Sequence, residues 1–214
     1  MENKKALDFF VKISEIKNDG PQSVKLDKSN DLTQYDADFI LQYCNPKTSL
    51  LDLGSGSGLI INKIYERLNK ITAVEPIQEF TKYIHQTDNI EIVNQNIFDY
   101  NYTLKKHDLI TIFGVMHYFN EEEATIVYKK CYNGLIEGGM LIVKNQFGVD
   151  EDVTIDGYSE EQKSNYFAQY RHLYKEIEIL KKIGYKNIKY FDIYPKECNR
   201  WRNTHFYAIV AHKQ

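Results

Sequence analysis

From about residue 48 onward, short apolar runs rich in β-branched residues alternate with longer segments of helical period. That alternation is the signature of a parallel sheet covered by helices, because strands buried on both faces read as continuous apolar runs. The runs are Ser49 to Leu53, Ile71 to Val74, Ile90 to Val93, Asp108 to Phe113 and Met140 to Val143, followed by Asn187 to Tyr194 and His205 to His212. The last two are close enough in the chain to pair antiparallel. The expected class is α/β, a Rossmann-like three-layer sandwich with a mostly parallel seven-stranded sheet whose last strand pair is antiparallel. Residues 1–45 lie outside this rhythm and read as a helical N-terminal cap on a core spanning 46–214, the whole forming one domain.

Between the strands, helical spacing recurs at Leu59, Ile60, Ile64 and Leu68. It recurs again at Ile77, Phe80 and Ile84, with Pro76 suited to a first helical position. Asn120 before three glutamates predicts an N-cap, and the helix it opens is expected to end near Gly138 and Gly139. Gln146 to Tyr158 carries four acids and no clear period, so it reads as a loop. Ser159 with Gln162 resembles a capping box, which predicts helix from there to Gly184 with a break near Arg171.

Charge and composition exclude several classes. With 27 basic and 30 acidic residues the formal charge is −3, which provides no global drive toward nucleic acid or an anionic bilayer. No run of 18 apolar residues suggests a membrane span, and the N-terminus lacks the apolar stretch of a signal peptide. The three cysteines, Cys44, Cys131 and Cys198, form neither a disulfide framework nor a zinc pattern, which suits a reducing cytoplasm. No metal is expected. His85, His107 and His212 read as surface histidines.

The block Leu51-Asp52-Leu53-Gly54-Ser55-Gly56-Ser57-Gly58 puts three glycines in a strand-to-helix turn, where a missing Cβ lets backbone approach a ligand. A dinucleotide fingerprint wants its third glycine where Leu59 stands. Asp52 would also repel a pyrophosphate, whereas it would attract a ligand bearing an ammonium.

The pattern D-x-G-x-G-x-G at 52–58 resembles the first motif of class I S-adenosylmethionine-dependent methyltransferases. Other landmarks of that family stand in order: Glu75 in Ala73-Val74-Glu75-Pro76, Asn96 in Asn94-Gln95-Asn96-Ile97, the run from His107 to Tyr118, and Leu135 to Leu141. The resemblance runs from about residue 48 to the C-terminus. It implies S-adenosylmethionine as cofactor and S-adenosylhomocysteine as product. It implies a cofactor site of Asp52, Gly54, Ser55, Gly56, Glu75, Pro76, Asn96, Ile97 and Phe113, with Glu75 on the ribose hydroxyls and Asn96 and Ile97 at the adenine.

Tyr35, before an apolar-faced helix, is a cofactor contact on that resemblance, or ordinary helix packing. His117, just past the fourth strand, is the candidate general base, or a side chain packed beneath the loop. Tyr118 beside it lines an acceptor pocket or belongs to the core. In the segment 194–205, Arg200, Arg202 and His205 are candidate substrate contacts. Both guanidiniums on one side would suit an anionic acceptor such as a nucleotide-activated sugar or a phosphorylated polysaccharide precursor, and the alternative is a solvated loop. The expected acceptor is a small molecule, methylated on O or N, within a pocket walled by the cap, residues 145–158, a helix near 166–174 and 195–205. Rival readings are an NAD-dependent oxidoreductase, a non-catalytic S-adenosylmethionine-binding module, and an enzyme acting on RNA or protein.

Overall fold

The computed structural model describes residues 2–16, 20–24, 31–159, 164–198 and 201–214. Its centre is a seven-stranded sheet of β1 (Ser49–Leu53), β2 (Lys70–Val74), β3 (Ile90–Val93), β4 (His107–Phe113), β5 (Leu135–Gly148), β8 (Lys186–Phe191) and β9 (Thr204–His212). The spatial order is β3-β2-β1-β4-β5-β9-β8. The first five strands pair in parallel, and β9 runs antiparallel to both β5 and β8. Sheet class, parallel core and antiparallel closing pair therefore agree with the sequence.

The helices are α1 (Glu2–Ile16), α2 (Thr33–Leu41), α3 (Ile61–Ile64), α4 (Gln78–Thr81), α5 (Glu121–Gly134) and α6 (Leu173–Ile183). Leu51, Leu53, Ile110, Ile112, Leu141 and Val143 bury against Ala124, Val127, Tyr128, Ile177 and Leu180 on one side of the sheet. Leu50, Ile71, Leu109 and Ile142 bury against Ala37, Ile40, Ile61 and Ile64 on the other. Alternate strand residues thus face opposite layers, as the pleat requires. Asn120 caps α5 as expected: its Oδ1 accepts from the Glu123 N–H at 2.9 Å, and a Glu123 carboxylate oxygen accepts from the Asn120 N–H at 3.2 Å.

Several local expectations change. Pro76 is not the first residue of a helix; α4 starts at Gln78, because the Glu75 carboxylate takes the Ile77 N–H and holds the chain extended first. The helix after the glycine bend is only the four residues of α3 plus a 3₁₀ turn. Helix α5 ends at Gly134, and β5 begins at once, with a register irregularity after the His107–Leu135 pair absorbing Ile136 to Gly139.

The largest correction concerns 146–170. Strand β5 runs on to Gly148, and β6 (Val153–Ser159) pairs antiparallel with β7 (Ser164–Tyr170) as a separate two-stranded sheet. Where a loop and then a helix were expected there is a β-hairpin, and the wall near 166–174 is mostly strand. Ser159 is the last residue of β6, while Gln162 falls outside the described residues. The expected break near Arg171 is the junction between β7 and α6. Alternating apolar and polar residues over Val153 to Asp156 are the period-two signal beneath the acids.

Candidate active site

The strand order reverses between β1 and β4, and a crevice opens at such a point outside the carboxyl ends of parallel strands. A cavity of about 970 Å³ lies there, at the upper end of the usual 300–1,000 Å³ range for ligand pockets. Its floor follows the sheet: Asn96 and Ile97 after β3, Glu75 after β2, Asp52 and Gly54 to Gly56 at β1, Phe113 to Val115 and His117 at β4, Lys144 to Gln146 on β5 and Thr204 with Phe206 on β9. Strands spaced about 4.8 Å apart make the walk from β3 to β4 about 14 Å long.

The bend after β1 depends on glycine. Gly54 has φ +75° and Gly56 φ +53°, both left-handed, and a Cβ on Gly54 would collide with the Val115 side chain. The Gly56 N–H donates to one Glu75 oxygen at 3.0 Å and the Ile77 N–H to the other at 3.1 Å. Each oxygen keeps a lone pair for a ligand hydroxyl. Burial raises the Glu75 carboxyl to about 7, against the two N–H donors and with help from nearby Asp52. Burial likewise raises Asp52 to about 6, although the Thr111 hydroxyl donates to it at 2.5 Å. Two acids crowded beside a glycine bend suit a ligand that brings hydroxyl donors and positive charge. Ser55 lines the same cavity, and its buried Oγ has no hydrogen-bond partner among the described residues. Such a set fits S-adenosylmethionine: Glu75 for the ribose, Asp52, Ser55 and the bend for the amino-acid end, Ile97 and Asn96 beside the base. Asn96 spends its Oδ1 on the Phe98 N–H at 2.9 Å.

Beyond β4 the cavity becomes aromatic. Phe10 of α1, Tyr118, Phe119, Tyr158 of β6, Tyr170 of β7 and Trp201 line it. Phe10 packs edge-on to Tyr118, with centroids 5.2 Å apart. Cap helix α2 enters through Asp36, which sits 3.3 Å from Lys144 Nζ and accepts from the Tyr194 hydroxyl at 2.6 Å. This ion pair joins cap, β5 and the β8–β9 connection.

His117 stands in the 3₁₀ turn Met116–Tyr118 and contacts Asn145 of β5. A general base needs a pKa near neutrality, but burial pushes the His117 ring down to about 4, with Arg171 and Lys144 adding to the shift. The turn itself is fixed by Arg171, whose guanidinium donates to the carbonyls of Met116 and Phe119 and to both oxygens of Glu176. Glu176 also accepts from the Tyr128 hydroxyl.

Asp52, Gly54, Ser55, Gly56, Glu75, Pro76, Asn96, Ile97, Phe113, His117 and Tyr118 thus all line one cavity. Tyr35 does not. It is 46% exposed and packs on Tyr194 outside, since the phase of α2 turns Thr33 and Asp36 inward instead. His205 is also excluded: on β9 it alternates with the inward Thr204 and Phe206, and its Nε2 lies 2.9 Å from Asp192. Arg202 is exposed and outside the lining, and Arg200 lies outside the described residues. His107 is no surface histidine; it is 3% exposed, and neither ring nitrogen has a partner among the described residues.

Sequence reasoning missed Asp36, Lys144, Asn145 and Arg171. For Arg171 a signal existed: only four of the 27 basic residues are arginine, and a lysine-rich chain keeps arginine where a planar fork of donors is needed. The other three carry no such mark.

A family model described as a methyltransferase domain matches residues 50–139. Among curated proteins, a flavonoid 3'-O-methyltransferase from Chrysosplenium americanum is 31% identical over 101 residues, 45% of this chain and 27% of the relative. An anthranilate N-methyltransferase from Ruta graveolens is 26% identical over 103 residues, 46% of this chain and 26% of the relative. The chain therefore spans about a quarter of the length of these relatives. Among solved structures, the N-methyltransferase NodS from Bradyrhizobium japonicum, in complex with S-adenosylhomocysteine, has a TM-score of 0.69 at 12% identity, covering 96% of this chain and 98% of that one. An S-adenosylmethionine-dependent methyltransferase from Leishmania major has a TM-score of 0.74 at 16% identity, covering 99% of this chain and 83% of that one. Residues 50–139 therefore match the model of a methyltransferase domain, and the chain shares the fold of S-adenosylmethionine-dependent methyltransferases.

Proposed function

We propose that the protein is an S-adenosylmethionine-dependent methyltransferase acting on an O or N atom of a small molecule. The observation that carries this reading is the single track from Asn96 past Glu75 and Asp52 to His117, continuous with an aromatic-lined chamber. When bound, the cofactor supplies an electrophilic methyl carbon on a positively charged sulfur. The protein's part is to hold an acceptor in line with that carbon, so positioning dominates the rate. Glu75 and the Gly54–Gly56 bend anchor one end of the track, while Phe10, Tyr118 and Tyr170 exclude water at the other.

An anionic acceptor, such as a nucleotide-activated sugar, was attractive only if Arg200 and Arg202 faced the cavity. Arg202 lies outside it, Arg200 falls outside the described residues, and Lys144, the one lysine or arginine of the lining among the described residues, is already paired with Asp36. The lining instead favours an acceptor with a flat, apolar body. The curated relatives' names, a flavonoid and an anthranilate methyltransferase, point the same way.

The test is isothermal titration with S-adenosylhomocysteine and with NADH, followed by a radiolabelled methyl-transfer screen of phenols, arylamines, heteroaromatic amines and aliphatic alcohols. Binding of the first ligand and turnover of an acceptor are expected. NADH binding alone would instead mark an oxidoreductase, and S-adenosylhomocysteine binding without any turnover a non-catalytic binding module.

A further inference from the structure

The amide of Asn145 decides the protonation of His117. Asn145 is 2% exposed, and its two polar atoms face three groups. One atom lies 2.9 Å from the backbone nitrogen of His117; the other lies 3.0 Å from His117 Nδ1 and 3.3 Å from the Lys144 carbonyl oxygen. A backbone N–H can only donate, so the atom facing it is the amide oxygen. A carbonyl can only accept, so the atom facing Lys144 is the NH₂ group. The opposite orientation would set donor against donor and acceptor against acceptor. The NH₂ group therefore points at His117 Nδ1, which must offer a lone pair. A neutral imidazole carries one proton, and it then sits on Nε2. Nothing among the described residues pairs with Nε2, the ring lines the cavity, and Nε2 is not among the sealed, unpartnered atoms. The ring stays neutral at pH 7, consistent with its burial beside Arg171 and Lys144.

We propose that His117 is a hydrogen-bond donor that orients the methyl acceptor through Nε2–H, and that the acceptor arrives with its nucleophilic lone pair already free. This rests on the methyltransferase reading. The acceptor classes it favours are arylamines, heteroaromatic nitrogens and acids ionised at neutral pH, carrying a second oxygen or nitrogen for Nε2–H to grip. Aliphatic alcohols are excluded, because a hydroxyl of that acidity needs a base and an Nε2–H nitrogen cannot take its proton. The acceptor lone pair forms the new bond to the methyl carbon as the carbon–sulfur bond breaks, and the bonding pair stays on sulfur. Where a nitrogen is methylated, its extra proton passes to water.

The experiment is a long-range proton–nitrogen correlation spectrum of the ¹⁵N-labelled full chain at pH 7, saturated with S-adenosylhomocysteine. His117 is assigned by the signal lost in His117→Gln. The Nε2-protonated pattern is expected, and an Nδ1-protonated pattern overturns the proposal. A second variant, Asn145→Asp, sets a carboxylate against Nδ1, and its spectrum is expected to switch to the Nδ1–H form; an unchanged pattern there overturns the geometry. In the methyl-transfer screen, His117→Gln, which can donate but is a poor base, is expected to keep turnover within about tenfold while His117→Ala raises KM; a loss beyond a thousandfold in the glutamine variant, or turnover of an aliphatic alcohol by the native protein, overturns the proposal. Failure to bind S-adenosylhomocysteine would defeat the methyltransferase reading instead, and the spectrum of the free protein would still judge the tautomer.

Discussion

Replacing Arg171 with methionine should be the most damaging single change outside the sheet. Its side chain is about 1% exposed, and Glu176 beside it is fully buried. Removal of the guanidinium leaves that carboxylate without its cation and strands the carbonyls of Met116 and Phe119. Breaking a buried pair from one side costs about 3–5 kcal/mol, a large share of the about 5–15 kcal/mol that holds a domain together. At about 2–4 °C per kcal/mol for a chain of this length, a 4 kcal/mol loss lowers Tm by about 8–16 °C. The double variant Arg171→Met with Glu176→Leu removes the charge left behind. It should still lie about 3 kcal/mol below the native protein, the cost of two unpaired carbonyls and of the Tyr128 hydroxyl that Glu176 no longer accepts from, at about 1 kcal/mol each. Thermal unfolding followed by circular dichroism, with urea titration as a check, measures both. A Tm within 3 °C of the native value for the single variant, or a double variant less stable than the single, would show that the pair does not hold this region.

Changing Glu75 to Ala should weaken S-adenosylhomocysteine about 10–100-fold by calorimetry, because charge-assisted hydrogen bonds contribute about 1.5–3 kcal/mol; an unchanged Kd would place the ribose elsewhere. The His107 ring, lowered by burial to about 4 from 6.5, binds its proton later in the folded than in the unfolded chain, so its contribution to stability is lost as pH falls from 6.5 to 4. His107→Leu should therefore gain about 3 kcal/mol on the native protein between pH 7 and pH 4, read by urea titration at each pH; a constant difference contradicts this. Asn120→Ala removes the capping box of α5 and should cost about 1 kcal/mol, lowering Tm by about 2–4 °C in a thermal melt, with no change in cofactor affinity.

The central sheet was legible because its strands are buried on both faces, and Leu50, Leu51 and Leu53, like Leu109, Ile110 and Ile112, announce that burial as apolar runs interrupted only by Asp52 and Thr111. The cofactor side was legible for a related reason: a glycine bend and its two acids are adjacent in sequence or fixed at strand ends. The acceptor side was not. Strand β6 is exposed from Thr154 to Tyr158, so no buried apolar run marks it, Asp150, Asp152 and Asp156 mask a weak alternation, and the segment reads as loop and helix. Tyr35 and Asp36 differ by one residue, and only the phase of α2 against the sheet decides which of them enters the cavity. Asn145 looks like any residue in a strand until the turn that carries His117 is folded over it.

Arg171 closes the hairpin at one end and opens α6 at the other, while gripping both ends of the turn that presents His117. The chamber's outer wall and its reactive corner are consequently clamped to a common post. Evolution can therefore recut the hairpin to admit differently shaped guests while leaving the imidazole's aim intact, provided that post is kept.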